Sequence, residues 1–283
     1  MAKQQFEFVR LVDNERRVGP TLASVSRHWR QEEECFVFVS PHDDDVIIGG
    51  GLMILSAVAE KVPVHVVVVT DGTMGYCSEQ ERETIGDIRK AETYAACRAL
   101  GVPKANVHWL GYPDCQLPHF QGRRPAGPDE PVQSFGFTGL QHSFVEVLRQ
   151  VRPNQVFIPT NADLHPDHRI VHSEMMISIF HATGAIWPEL GEPLARVPYI
   201  HELAIYCNFP AKPKLRIRAP QKAFARKLNA ISKFQSQKQI GEMVRTLEQA
   251  GPWEYLRPIE FGLYNPAVYR DMFDVPATMV PIR

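Results

Sequence analysis

Four short apolar runs, each followed by a stretch with helical character, constrain this chain more than any other feature. They are residues 35–40 (CFVFVS), 64–70 (VHVVVVT), 106–110 (NVHWL) and 155–159 (QVFIP). The unbroken valines of the second run suit a strand covered on both faces, as in a parallel sheet. Helical stretches follow at 46–61, 82–100, 139–151 and 167–181, the second stopped by Gly101 and Pro103. Strand alternating with helix predicts an α/β fold: a doubly wound, mostly parallel, Rossmann-like sheet with right-handed crossovers and helices on both faces. Ligands in such sheets bind outside the carboxyl ends of the strands, so chemistry is expected just after each run. Residues 1–33 read as an N-terminal extension, partly helical around 22–29. Residues 34–283 read as one domain, with a further strand at 202–207, a helix at 221–239 and an irregular or helical end.

The bulk properties exclude several classes of function. With 283 residues and 44% hydrophobic side chains, the chain can bury a sizeable core. Lys and Arg number 31 against 32 Asp and Glu, a net charge of −1, so no basic excess points to nucleic acid. No apolar run reaches the roughly 18 residues of a membrane span. The first 17 residues are mixed and charged, unlike a secretory signal. Five widely spaced cysteines contain no Cys-x-x-Cys pair, which fits reduced thiols in a cytoplasmic compartment.

Two clusters carry the chemistry. Pro41-His42-Asp43-Asp44-Asp45 follows the first run directly. Three successive carboxylates repel one another and suit a buried turn only beside a cation. An acidic turn capping a helix would explain them equally well on their own. His165-Pro166-Asp167-His168 follows the fourth run, with Asp163 before it and His172 after it. Pro166 suits the first turn of a helix. A parallel sheet brings the carboxyl ends of its strands together, so the intervening residues need not part the clusters in space. His and Asp are both zinc ligands, and two clusters in one cleft favour a metal.

With HDDD before a helix, TDG after the second run, Arg-x-x-Glu on the next helix, LGYPD, and HPDH, the chain resembles the PIG-L / LmbE-like family of zinc-dependent N-acetylglucosaminyl deacetylases. The resemblance covers about residues 36–180, with an echo at 227–237 (KLNAISKFQSQ). It implies a deacetylase domain over 34–283 and a metal held by His42, Asp45 and His168. It implies Asp44 as general base. His165 would stabilise the oxyanion or protonate the leaving amine, and Asp167 would orient His165 or a ligand. Arg89 and Asp114 are the implied substrate contacts. The metal is zinc by resemblance, and another divalent transition metal is compatible. Successive side chains point apart, so Asp44 beside Asp45 suits a proton acceptor better than a ligand.

The chain departs from the family pattern at three places. Asp43 stands where the first motif has Pro, Val46 where it has Glu, and Phe234 and Gln235 where a His is common. The glycine- and proline-rich stretch 113–136 reads as a long loop, in which Arg123 and Arg124 are candidate anion contacts. The expected function is hydrolysis of an N-acetyl or other acyl group from an amino sugar or its conjugate. Two alternatives stand beside it: an amidase on another conjugate or natural product, and a metal-binding protein that has lost catalysis. The expected partner is a small N-acetylated sugar or glycoconjugate, and a homo-oligomer is compatible with the sequence.

Overall fold

The valine-rich runs form the centre of a nine-stranded sheet. The computed structural model describes residues 5–12, 15–26, 28–261 and 264–273. In chain order the elements are β1 (Glu7–Val12), β2 (Glu15–Gly19), α1 (Leu22–Val25), β3 (Phe36–Ser40), α2 (Asp45–Ala59), β4 (Val64–Thr70), α3 (Ile85–Leu100) and β5 (Val107–Tyr112). Next come β6 (Arg124–Pro125), β7 (Phe137–Thr138), α4 (Leu140–Val151), β8 (Gln155–Pro159), α5 (Pro166–Thr183) and β9 (Tyr199–Leu203). The chain continues through β10 (Leu215–Arg218), α6 (Gln221–Ile231), α7 (Ile240–Ala250), β11 (Trp253–Ile259) and α8 (Ala267–Phe273).

The main sheet runs β2-β1-β10-β11-β9-β8-β3-β4-β5, and β6 pairs with β7 apart from it. Strands β9, β8, β3, β4 and β5 are mutually parallel. From β3 the chain winds one way through α2 and α3 to β4 and β5. It then returns through α4 to β8, on the other side of β3. The strand order therefore reverses between β3 and β8, the place where an open α/β sheet leaves a crevice. Val37, Val39, Val67 and Val69 pack towards α4 and α5, while Phe36, Phe38, Val66 and Val68 pack towards α2, α3 and α6. The parallel centre with helices on both faces is the fold the alternation predicts.

Helix α2 departs from expectation in character. The sequence suggests an amphipathic segment, yet Asp45 through Ala57 are all buried. The helix lies between the sheet and helices α3 and α6, so no side is left for solvent. Such close packing requires glycine: a Cβ on Gly50 would sit 3.1 Å from the Phe38 ring and 3.2 Å from Leu203.

Both chain ends hold more sheet than the sequence suggests. Residues 7–12 and 15–19, within the stretch read as an extension, form the paired strands β1 and β2, and β1 also pairs with β10. Helix appears at Leu22–Val25, and residues 1–4, 13, 14 and 27 lie outside the described residues. Near the other end, the helix expected over 221–239 stops at Ile231, and α7 and β11 follow. Strand β11 joins β10 to β9, all antiparallel. Strands β10 and β11 bury part of their side chains, so LRIR and WEYLRPI mix charge with apolar residues, while the edge strand β2 (ERRVG) is exposed along most of its length. The last part of the expected irregular end, 274–283, lies outside the described residues. Among the described residues no helix is long and apolar enough to cross a membrane.

Glu254 on β11 ties this end to α2. Its carboxylate accepts from the backbone N–H of Leu52 (2.8 Å) and Met53 (2.9 Å) and from Lys227 Nζ (2.9 Å). Glu254 and Lys227 are both buried. Removing one partner strands a buried charge. Lys227→Met is expected to lower unfolding stability by about 3–5 kcal/mol, read from urea denaturation. A change under about 1 kcal/mol would show that the pair is not a keystone.

Candidate active site

The two clusters converge at the switch point. Residues 41–45 link β3 to α2, and residues 160–165 link β8 to α5, so the N-termini of two helices meet in one cleft. Capping does not explain the acidic run: the Asp44 side chain at the N-cap makes no capping bond, and the Val46 N–H in the first turn is taken by Ser40 Oγ (3.2 Å) instead. The second cluster does cap its helix. His165 Nδ1 accepts from the Asp167 N–H (3.2 Å), with Pro166 at the first helical position.

Three ligand-type atoms form a nearly equilateral triangle. His42 Nδ1 lies 3.2 Å from Asp45 Oδ2 and 3.2 Å from His168 Nε2, and His168 Nε2 lies 3.1 Å from Asp45 Oδ2. Ligands about 2.0–2.1 Å from a tetrahedral ion sit roughly 3.3 Å from one another. The donor set of two imidazoles and one carboxylate therefore fits a divalent metal. Asp45 Oδ1 is buried without a hydrogen-bond partner, as befits a carboxylate kept for a cation.

The far nitrogen of each imidazole faces carboxylate. His168 Nδ1 lies 3.2 Å from Asp163 Oδ2. His42 Nε2 lies 3.3 Å from Asp114 Oδ1 and 3.4 Å from Asp167 Oδ2. This pattern orients ligand rings and raises their basicity. Asp167 stands beside His42, and its carboxylate also accepts from the Cys115 N–H (3.0 Å). Cys115 sits at φ 61°, a left-handed conformation that costs a non-glycine residue about 1–2 kcal/mol. His42, Asp114 and Asp167 could also bring one ligand atom each within 4.8 Å of one another, so the two faces of the His42 ring offer competing cation sites.

Asp44 is buried and accepts from Gln237 Nε2 (2.9 Å). Burial, then the neighbouring Asp43 and Asp45, push its carboxyl up to about 7. Burial alone would also raise Asp45, but His168 and His42 outweigh it and hold Asp45 well below the usual carboxylate range. The His165 ring packs edge-on against His42, with centroids 4.5 Å apart. Burial, then His42 and His168, lower its affinity for a proton.

The implied substrate contacts are placed differently. Arg89 Nη1 donates to Asp43 Oδ1 (2.8 Å) and Nη2 to the Gly75 carbonyl (2.9 Å). Glu92, its possible helix partner, instead accepts from Ser236 N and Oγ (2.9 and 2.7 Å). Asp114 faces His42, and its N–H donates to Asp71 Oδ1 (3.1 Å). Tyr112 is buried against Ser143 Oγ (2.8 Å), and His172 Nδ1 contacts the Pro159 carbonyl (3.0 Å), so neither joins the cleft. Two neighbours have no role in the sequence reading. Gln237 ends the KLNAISKFQSQ echo, which was its only signal. Tyr206, whose ring lies 5.1 Å from that of His168, sits on a loop without any motif.

Comparison with known proteins agrees with this picture. The family model for PIG-L, GlcNAc-PI de-N-acetylase, matches residues 37–179, just over half of the chain. The chain belongs to this family. A diacetylchitobiose deacetylase from Thermococcus kodakarensis is 29% identical over 135 residues, a match that spans 46% of this chain and only 43% of that protein. In structure, the chain is similar to N,N'-diacetylchitobiose deacetylase from Pyrococcus horikoshii, with a TM-score of 0.63, 24% identity and coverage of 87% and 88% of the two chains. It is also similar to the 4-carboxy-2-hydroxymuconate hydratase GalB from Pseudomonas putida KT2440, with a TM-score of 0.62, 17% identity and coverage of 82% and 98%. One fold thus carries different reactions, and the fold alone does not choose among them.

The triangle makes a direct prediction. Purified protein should hold about one divalent metal ion per chain by plasma mass spectrometry, and His168→Ala and Asp45→Ala should hold far less. Asp163→Asn keeps the three ligands but should weaken metal affinity about 10–100-fold. Equal metal content in all four proteins would contradict the assignment.

Proposed function

We propose that this protein is a metal-dependent N-deacetylase that hydrolyses the acetamide of an N-acetylated amino sugar or its conjugate, releasing acetate and a free amine. The observation that carries the reading is the triangle of His42, Asp45 and His168, with Asp44 next to Asp45 in the chain and the His165 ring 4.5 Å from that of His42. Membership of the PIG-L family supports it.

His42, Asp45 and His168 would hold the cation, which is zinc by ligand type and family. When bound, zinc supplies a Lewis acid that polarises a carbonyl and lowers the pKa of water. Asp44 is held beside the triangle by Gln237, where its carboxylate accepts the proton of the attacking water. The water oxygen bonds to the acetyl carbon, and the carbonyl oxygen takes up negative charge. Because His165 Nδ1 already accepts from the Asp167 N–H, the neutral ring carries its proton on Nε2. That N–H is the donor for the developing oxyanion. The C–N bond then breaks, and the proton taken by Asp44 passes to the departing amine.

The test is acetate release from N,N'-diacetylchitobiose and other N-acetylated amino sugars. Asp44→Asn should keep its metal while turnover falls by about 10²–10⁴-fold. His165→Ala should lower kcat by about 10²–10³-fold. Loss of metal from Asp44→Asn, or full activity in either variant, would contradict these roles.

A further inference from the structure

We infer that the cleft accepts amino sugars with no negative charge near the scissile amide, and that Asp43 sets this preference by occupying Arg89. The inference rests on the deacetylase reading above and names its substrate class.

Arg89 is the guanidinium beside the metal ligands, and it is engaged within the protein. Its Nη1 meets Asp43 Oδ1 at 2.8 Å, its Nη2 meets the Gly75 carbonyl at 2.9 Å, and its side chain is only 11% exposed. The loop after β4 is shaped around it: a Cβ on Gly75 would lie 2.2 Å from Nη2, so only glycine lets the guanidinium lie there. Asp43 is itself buried, and its backbone carbonyl accepts from Thr93 Oγ1 (3.4 Å). An anionic substrate group could recruit Arg89 only by leaving Asp43 buried and unpaired.

The other two candidate arginines are engaged in the same way. Arg123 is paired with Glu189, and its guanidinium lies 3.5 Å from the centre of the Phe137 ring. Arg124 is paired with Glu130. Asp71, Asp114 and Asp167 add carboxylate to the walls of the cleft. Two of its exposed neighbours are uncharged: Leu164 beside His165 is 68% exposed, and Tyr206 over His168 is 49% exposed. A phosphate or carboxylate on the substrate therefore finds the three candidate arginines taken and like charge beside it.

The experiment compares kcat/KM of the zinc-loaded protein on N-acetylglucosamine, N,N'-diacetylchitobiose and N-acetylglucosamine 1-phosphate, whose phosphate sits on the carbon next to the one that bears the amide. The wild type should favour the neutral sugars by roughly tenfold or more, the scale of one charge-assisted contact. Asp43→Asn frees Arg89 and should narrow that gap about tenfold, mainly through KM for the phosphate. Asp43→Asn combined with Arg89→Gln should restore the gap, a charge-specific pattern that a general loss of structure would not produce. A wild type that prefers the phosphate, or an Asp43→Asn variant that alters all substrates alike, would overturn the inference. If Asp43→Asn does not fold, Arg89→Gln decides. A loss confined to the phosphate would show Arg89 serving the anion and overturn the inference, whereas an equal loss on all substrates would support it. A protein that hydrolyses none of these sugars would sink the deacetylase reading itself.

Discussion

The cleft depends on the orientation of His42. Its imidazole stands between two sets of acids, with Nδ1 facing Asp45 and His168 and Nε2 facing Asp114 and Asp167. A ring so placed cannot satisfy both sides with one proton. A cation on the Nδ1 side would resolve this: Nδ1 would donate its lone pair, and Nε2 would keep a proton for the carboxylates. His168 repeats the arrangement, with Nε2 in the triangle and Nδ1 near Asp163. The surrounding carboxylates then have a counter-charge, and the run of three aspartates becomes tenable away from water.

The fold supplies that geometry at the reversal of its strand order. Strands β3 and β8 are neighbours, and the helices that follow them lie on opposite faces of the sheet. Two helix N-termini therefore open into one crevice from two sides. Secondary ties hold the loops there. Asp71 bonds the Asp114 N–H, Asp167 bonds the Cys115 N–H, and Asp163 bonds the N–H groups of His165 and Tyr206. The C-terminal third contributes Gln237 to Asp44, while Glu254 anchors the same region to α2. The far end of the chain thus completes a site whose ligands all lie before residue 170.

Much of this was legible before any coordinates. Strand β8 matches its apolar run residue for residue, because a strand buried on both faces leaves an uninterrupted hydrophobic signature. The convergence of the two acidic, histidine-bearing clusters was legible because each follows a strand of the parallel centre. What was not legible depends on long-range contact. The capture of Arg89 by Asp43 spans 46 positions, and the bond from Gln237 to Asp44 spans 193. No local pattern encodes either. The antiparallel flank was hidden for a related reason: LRIR alternates apolar with charged residues, and the exposed edge strand ERRVG resembles loop.

The most direct test of the account is anomalous diffraction at the zinc edge from crystals of the metal-loaded protein. A single strong peak should lie between His42 Nδ1, Asp45 Oδ2 and His168 Nε2, about 2.0–2.2 Å from each. A peak instead on the other face of the ring, between His42 Nε2, Asp114 and Asp167, would contradict the assignment of ligands. No peak in either place, with zinc in excess, would contradict the metal centre altogether.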